Sequence, residues 1–150
     1  MDIDWTIYDK AMLSGIDLHT LLPQQEPFFM VGTLVAVSPT GAATETIVQK
    51  SNIFVEEDRL QAPGIMENMA QTQAARLGFI NKYILKKDIQ TGVIGAIKKA
   101  EFTRLPSVGE TLTTEVEIVG EAFGMLLSEV KSYTEKGPVA TAEMKIAVKD

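Results

Sequence analysis

Few side chains in this chain can carry acid–base chemistry, because its 150 residues include one histidine and no cysteine. A thiol nucleophile, a disulfide, a thiolate metal site and a His-rich cluster are all excluded, and neither metal nor cofactor is expected. Glu67 is the first candidate. Between Gly64 and Asn81 its only ionisable companion is Arg76. One reading makes it an acidic residue near a helix start, complementing the dipole for a few tenths to about 1 kcal/mol. The other has a carboxylate beside Ala70, Gln71 and Ala74 desolvated as a sheet closes over it, which raises its pKa and suits it to proton transfer near neutrality. The residues alone leave both readings open.

Gln24 lies in Leu22-Pro23-Gln24-Gln25-Glu26-Pro27-Phe28, where two prolines bracket a polar tripeptide. By itself that is a rigid turn before a strand. Gln71 reads as a hydrogen-bonding residue inside a helix. Lys98, Lys99 and Arg104, with Lys86 and Lys87, concentrate positive charge in an acidic protein. They read either as solvated strand ends or as a dock for phosphate or an acidic partner. His19 has no evident acidic or hydroxyl partner nearby in sequence and reads as a surface residue. The methionines Met66 and Met69 read as core.

The elements that must position these residues follow from periodicity. Residues 1–22 form an appended segment. Ile3, Trp5, Ile7 and Met12 fit a short amphipathic helix ended by Ser14-Gly15, and a second turn over Asp17–Leu22 stops at Pro23. Phe28–Val37 and Ala42–Gln49 read as strands of a hairpin around Ser38-Pro39-Thr40-Gly41. From Gly64 to Ile84 the spacing predicts one long helix, with Ile65, Met66, Met69, Ala70, Leu77, Ile80 and Ile84 on one stripe. Its other faces carry Ala, Gly, Thr, Asn and Gln, so it is expected to be wrapped by other structure, with Ala70, Ala74, Ala75 and Gly78 admitting a close sheet. Thr91–Phe102, Thr111–Val119, Met125–Tyr133 and Val139–Val148 then read as an antiparallel meander. The economical packing is α+β: a sheet curled around one helix, its free edges and faces paired with a second copy as a homodimer.

The formal net charge of −6 argues against a nucleic-acid groove and against adhesion to anionic lipid. No run approaches the roughly 18 apolar residues of a membrane span, and the acidic start Met1-Asp2-Ile3-Asp4 is unlike a secretory signal. A cytoplasmic protein of one domain, residues 1–150, is expected.

Three segments resemble one family. Gly95-Ala96-Ile97-Lys98-Lys99-Ala100-Glu101-Phe102-Thr103-Arg104-Leu105-Pro106-Ser107-Val108-Gly109-Glu110 is similar to the matching strand pair of the β-hydroxyacyl-acyl carrier protein dehydratases. Leu22-Pro23 followed by Pro27-Phe28-Phe29 resembles that family's Leu-Pro-His turn, and Glu67-Asn68-Met69-Ala70-Gln71 resembles its Glu-x-x-Ala-Gln helix. The Ala70-Gln71-Thr72 run looks most like the dehydratase-like proteins of aryl-polyene pigment pathways. The resemblance implies the hotdog fold, a dimer, and an acyl thioester presented on carrier protein or CoA. It puts Glu67 on the catalytic acid and Gln24 on the catalytic histidine, and implies substrate contacts at Gly64, Gln71 and Phe28. Lys98, Lys99 and Arg104 become the carrier-protein or phosphate dock. An amide cannot serve as general base, and the family's Gly-His-Phe-Pro loop is replaced by Asn52–Gly64. Three functions therefore fit: a dehydratase with altered catalysis; a thioesterase using Glu67 and Gln24; and a non-catalytic acyl-thioester-binding subunit whose paralogue supplies the histidine.

Overall fold

The computed structural model describes residues 3–88 and 91–149. The N-terminal segment is built from aspartate caps. Asp9 accepts from the Met12 N–H to start α1 (Lys10–Ser14), and Asp17 accepts from the His19 N–H to start a 3-10 turn over Leu18–Thr20. The buried residues are Leu13 and Leu18, whereas Met12 and Ile7 stay exposed, so the apolar face differs from the one expected.

The first strand, β1 (Thr33–Val37), is shorter than the expected Phe28–Val37. Side chains of the long helix take the Phe28 and Met30 backbone groups that a ladder would use (see below). β2 (Gly41–Ile47) follows, then an unanticipated two-residue pair, β3 (Val55–Glu56) and β4 (Arg59–Leu60), whose turn residues Glu57 and Asp58 sit at φ 51° and 60°.

α2 (Ala62–Phe79) begins two residues before the expected start, with Pro63 in its first turn, and runs on as a π-turn over Ile80–Ile84. Glu67 is its sixth residue and so lies past the first turn, outside the short range of the dipole reading. The helix is buried nearly all round, from Gly64 to Phe79. Two glycines make this possible. A Cβ on Gly64 would fall 2.6 Å from the Leu60 side chain, and one on Gly78 would fall 2.2 Å from the Leu21 carbonyl oxygen. At Gly78 the close neighbour is the N-terminal segment and not the sheet.

β5 (Thr91–Phe102), β6 (Thr111–Ala122), β7 (Met125–Thr134) and β8 (Gly137–Lys149) complete one antiparallel sheet in the order β1-β2-β6-β7-β8-β5. Register shifts in the β5–β8 and β6–β7 pairings mark bulges that add bend and twist. Inward positions of β6 alternate as Leu112, Thr114 and Val116, all buried. The core has two parts. Ile65, Met69, Leu112, Val116, Val130 and Met144 fill the space between α2 and the sheet. Leu13, Leu18, Leu21, Leu34, Ala75 and Phe79 seat the N-terminal segment on the other flank. This is the hotdog fold: a curled antiparallel sheet around one long helix.

Candidate functional site

Two side chains of α2, Gln71 and Asn68, tie the helix to the chain entering β1, and a third, Thr72, ties it to β2. Gln71, fully buried, accepts from the Met30 N–H at 2.7 Å and donates to the Phe28 carbonyl at 2.7 Å. The same amide nitrogen donates to Glu67 Oε1 at 3.2 Å, one helical turn back. Asn68 donates to the Met30 carbonyl at 2.7 Å and accepts from Thr114 at 2.6 Å, and Thr114 meets Ser132 at 2.8 Å. Thr72 pairs with Thr44 at 2.8 Å. Buried polar groups require such partners, and the bonds of Gln71 also fix the residue that holds Glu67.

Glu67 is half-buried on the helix face that carries Gln71, and Gln71 holds one of its two oxygens. The structure therefore brings together Glu67, Gln71 and Phe28. Phe28 is 56% exposed, an apolar side chain left open beside the acid's supporting clamp. Gln24 makes no hydrogen bond to this cluster among the described residues. Its Oε1 is buried without a hydrogen-bond partner, and no hydrogen bond among the described residues joins it to Glu67. Gly64 serves packing, and its N–H donates to the Gln61 carbonyl at 3.0 Å, so it is not free to polarise a thioester.

The cationic group divides. Arg104 donates to Glu110 at 2.6 Å and to Thr134, and Glu110 also accepts from the Ser107 N–H at 2.6 Å. The Arg104 guanidinium, helped by these donors, holds the Glu110 carboxyl down at about 2. Arg104 is thus committed to a structural pair. Lys98 is exposed, and Lys99, at φ 52° in the β5 bulge, lies 3.5 Å from Glu143.

His19 departs most from its sequence reading. Its ring nitrogens lie 2.7 Å from Asp17 and 2.5 Å from Glu26, and the ring stacks on Phe29 with centroids 3.8 Å apart. Asp17, two positions upstream, was the available signal; Glu26 reaches it only because the chain turns back. A groove of about 620 Å³ runs beside this loop, lined by Glu26, Phe29, Met30, Thr46 and Asn52 among others. A second hollow of about 810 Å³ crosses the sheet's outer face between charged rows that include Glu115, Glu129 and Lys131. Neither is lined by Glu67.

Among the described residues no group of three or more acidic or histidine side chains is placed to hold a metal. No described helix is long and apolar enough to cross a membrane.

A family model described as ApeP-like, ApeP dehydratase, matches residues 16–150. The 3-hydroxyacyl-[acyl-carrier-protein] dehydratase FabZ of Ruminiclostridium cellulolyticum is 26% identical over 145 residues, covering 91% of this chain and 98% of its own length. Among solved structures, the dehydratase heterocomplex ApeI:P from Xenorhabdus doucetiae superposes with a TM-score of 0.82 at 15% identity, over 90% of this chain and 92% of that one. A hypothetical thioesterase from Streptococcus pneumoniae, solved with coenzyme A, gives 0.62 at 13% identity over 77% and 84%. At such identities the structural likeness speaks for the fold alone.

Proposed function

The chain belongs to the ApeP-like dehydratase family, and from that membership we propose that it works in the loss of water from a 3-hydroxyacyl thioester carried on acyl carrier protein, as one subunit of a two-subunit hotdog dehydratase. Elimination of water needs a base for the α-proton and an acid for the departing hydroxyl. Glu67 is the acid: half-buried, on the central helix, with Gln71 fixing one oxygen. The base must come from elsewhere. The observation that carries this is His19, the chain's sole imidazole, whose two nitrogens face the carboxylates of Asp17 in the N-terminal segment and Glu26 in the loop that follows. Gln24 is given no proton-transfer step, since an amide has no useful proton affinity.

A partner subunit seated along the free edge of β5 would bring its own imidazole to Glu67. The ApeI:P neighbour, a dehydratase heterocomplex by its title, supports this arrangement, and the FabZ relatives support the carrier-bound substrate class. Lys98 and Lys99 are the cations left to meet the phosphate or acidic face of a carrier; no metal or cofactor takes part in this scheme.

The test is enoyl formation from a 3-hydroxyacyl-carrier substrate by this chain alone, by a histidine-bearing hotdog paralogue alone, and by the mixture. The mixture is expected to exceed this chain alone by about 10²–10⁴-fold, the usual worth of a positioned base. Glu67→Gln in the mixture should lose a similar factor. Full activity of this chain by itself would overturn the two-subunit reading. Release of free thiol without enoyl product would replace it with a thioesterase.

A further inference from the structure

The loop over residues 22–30 is held in two ways, and the two holds differ in kind. At its far end Gln71 and Asn68 grip the backbone of Phe28 and Met30. The other hold, on Glu26 and Phe29, converges on one imidazole. Asp17 and Glu26 face its two nitrogens, Phe29 stacks on its ring at an interplanar angle of 11°, and Gln25 donates to the His19 carbonyl at 3.3 Å.

We propose that the imidazolium of His19 is a latch that holds this loop against the N-terminal segment, and is thereby a positioning residue for Glu67, acting through Phe28–Met30 and Gln71. The positioning part rests on the reading of Glu67 as the acid; the latch itself does not.

Only the protonated ring has two N–H groups to donate to two carboxylates. On deprotonation one nitrogen keeps its hydrogen and the other turns a lone pair toward an anion. Asp17 is the partner retained, because its carboxylate also accepts the His19 backbone N–H at 3.0 Å. Glu26 is the partner released: it is exposed, and among the described residues it has no other hydrogen bond or ion pair. The charged groups around the ring are therefore Asp17 on its own turn, Glu26 on the loop, and Lys82 on the π-turn, which favours the ionised form of Asp17. The hydrogen bond to Glu26, then that to Asp17, raises the His19 pKa above its ordinary 6.5. The latch is closed below that value, stays closed through it, and opens as pH rises through the raised one.

With one histidine in the chain, its imidazole C–H signals are unique in the NMR spectrum. In the full-length protein His19 should titrate above 6.5, and Glu26→Gln should lower that titration. The Met30 amide, which donates to Gln71, should exchange about tenfold faster at fixed pH in His19→Phe, which keeps a ring on Phe29 but removes both donors. In the active mixture kcat, more than KM, should fall as pH rises through the His19 titration, and this limb should vanish in His19→Phe. A titration indifferent to Glu26→Gln, or unchanged Met30 exchange in His19→Phe, overturns the latch. Normal titration and exchange without dehydration at any pH would strike the role assigned to Glu67 and leave the latch standing.

Discussion

Glu110 shows how one carboxylate can matter to this fold without touching its chemistry. It is buried, ties the loop before β6 to Thr134 at the end of β7, and is paired to Arg104. Its carboxyl lies at about 2 in place of 4.5, because Arg104 and the Ser107 N–H favour the charged form. A depressed carboxylate stabilises fully above its ordinary value and loses that contribution as pH falls through the depressed one. The difference corresponds to about 3 kcal/mol. Urea unfolding should therefore show stability falling between pH 4.5 and about 2. Glu110→Gln should flatten that slope and cost about 3 kcal/mol at neutral pH, since Arg104 loses its counter-charge. A wild-type slope in the variant would mean that another carboxylate governs acid unfolding. Glu67 is different in kind. Its neighbourhood is built by Gln71, whose three hydrogen bonds join acid and loop, so the acid's geometry depends on residues some forty positions earlier in the chain.

Between elements, α2 carries one buried charge to the sheet, Arg76, whose guanidinium donates to the Ser38, Pro39 and Gly41 carbonyls. Its other polar contacts with the sheet include neutral pairs, Thr72 with Thr44 and Asn68 with Thr114, set among Ile65, Met69 and Val116. Such pairs add direction to a contact that apolar burial alone would leave free to slide. Asn68→Ala would strand the Met30 carbonyl in the interior and leave the Thr114 hydroxyl with Ser132 alone. We expect a loss of about 1–3 kcal/mol in denaturant midpoint measurements, with faster exchange at Met30. An unchanged midpoint would mean that water replaces the amide. The β6–β7 hairpin carries an oddity of its own. Phe123, fully exposed, stands at φ 54° beside Gly124, in a tight turn where Asn-Gly is the usual pair.

At the scale of the whole molecule, β5 is a twelve-residue strand with β8 on one side and, among the described residues, no strand on the other. A long unpaired edge invites another chain. If the partner subunit pairs there, titrating it into this protein should raise the thermal midpoint by mass action, reaching about 2.7 kcal/mol at a hundredfold excess over Kd. A midpoint that ignores the partner would leave the edge bare and remove the route by which an outside imidazole reaches Glu67.

Much of this was legible in the residues. Strand alternation, the charge-poor stretch after Pro63 and the four closing strands led to a sheet around a helix, because side-chain period depends only on local geometry. The absence of cysteine, the single histidine and the lone acid on a neutral helix limited the chemistry in the same local way. What sequence could not hold were the distances that folding creates. Phe28–Gly32 has the composition of a strand but is drawn out of the ladder by Gln71 and Asn68, which lie about forty residues away. His19 looked solitary until a turn of the chain brought Glu26 to it, and Arg104 looked free until Glu110 closed on it. Propensity is written in neighbours along the chain, whereas pairing is decided by neighbours in space, and only the tertiary structure supplies those.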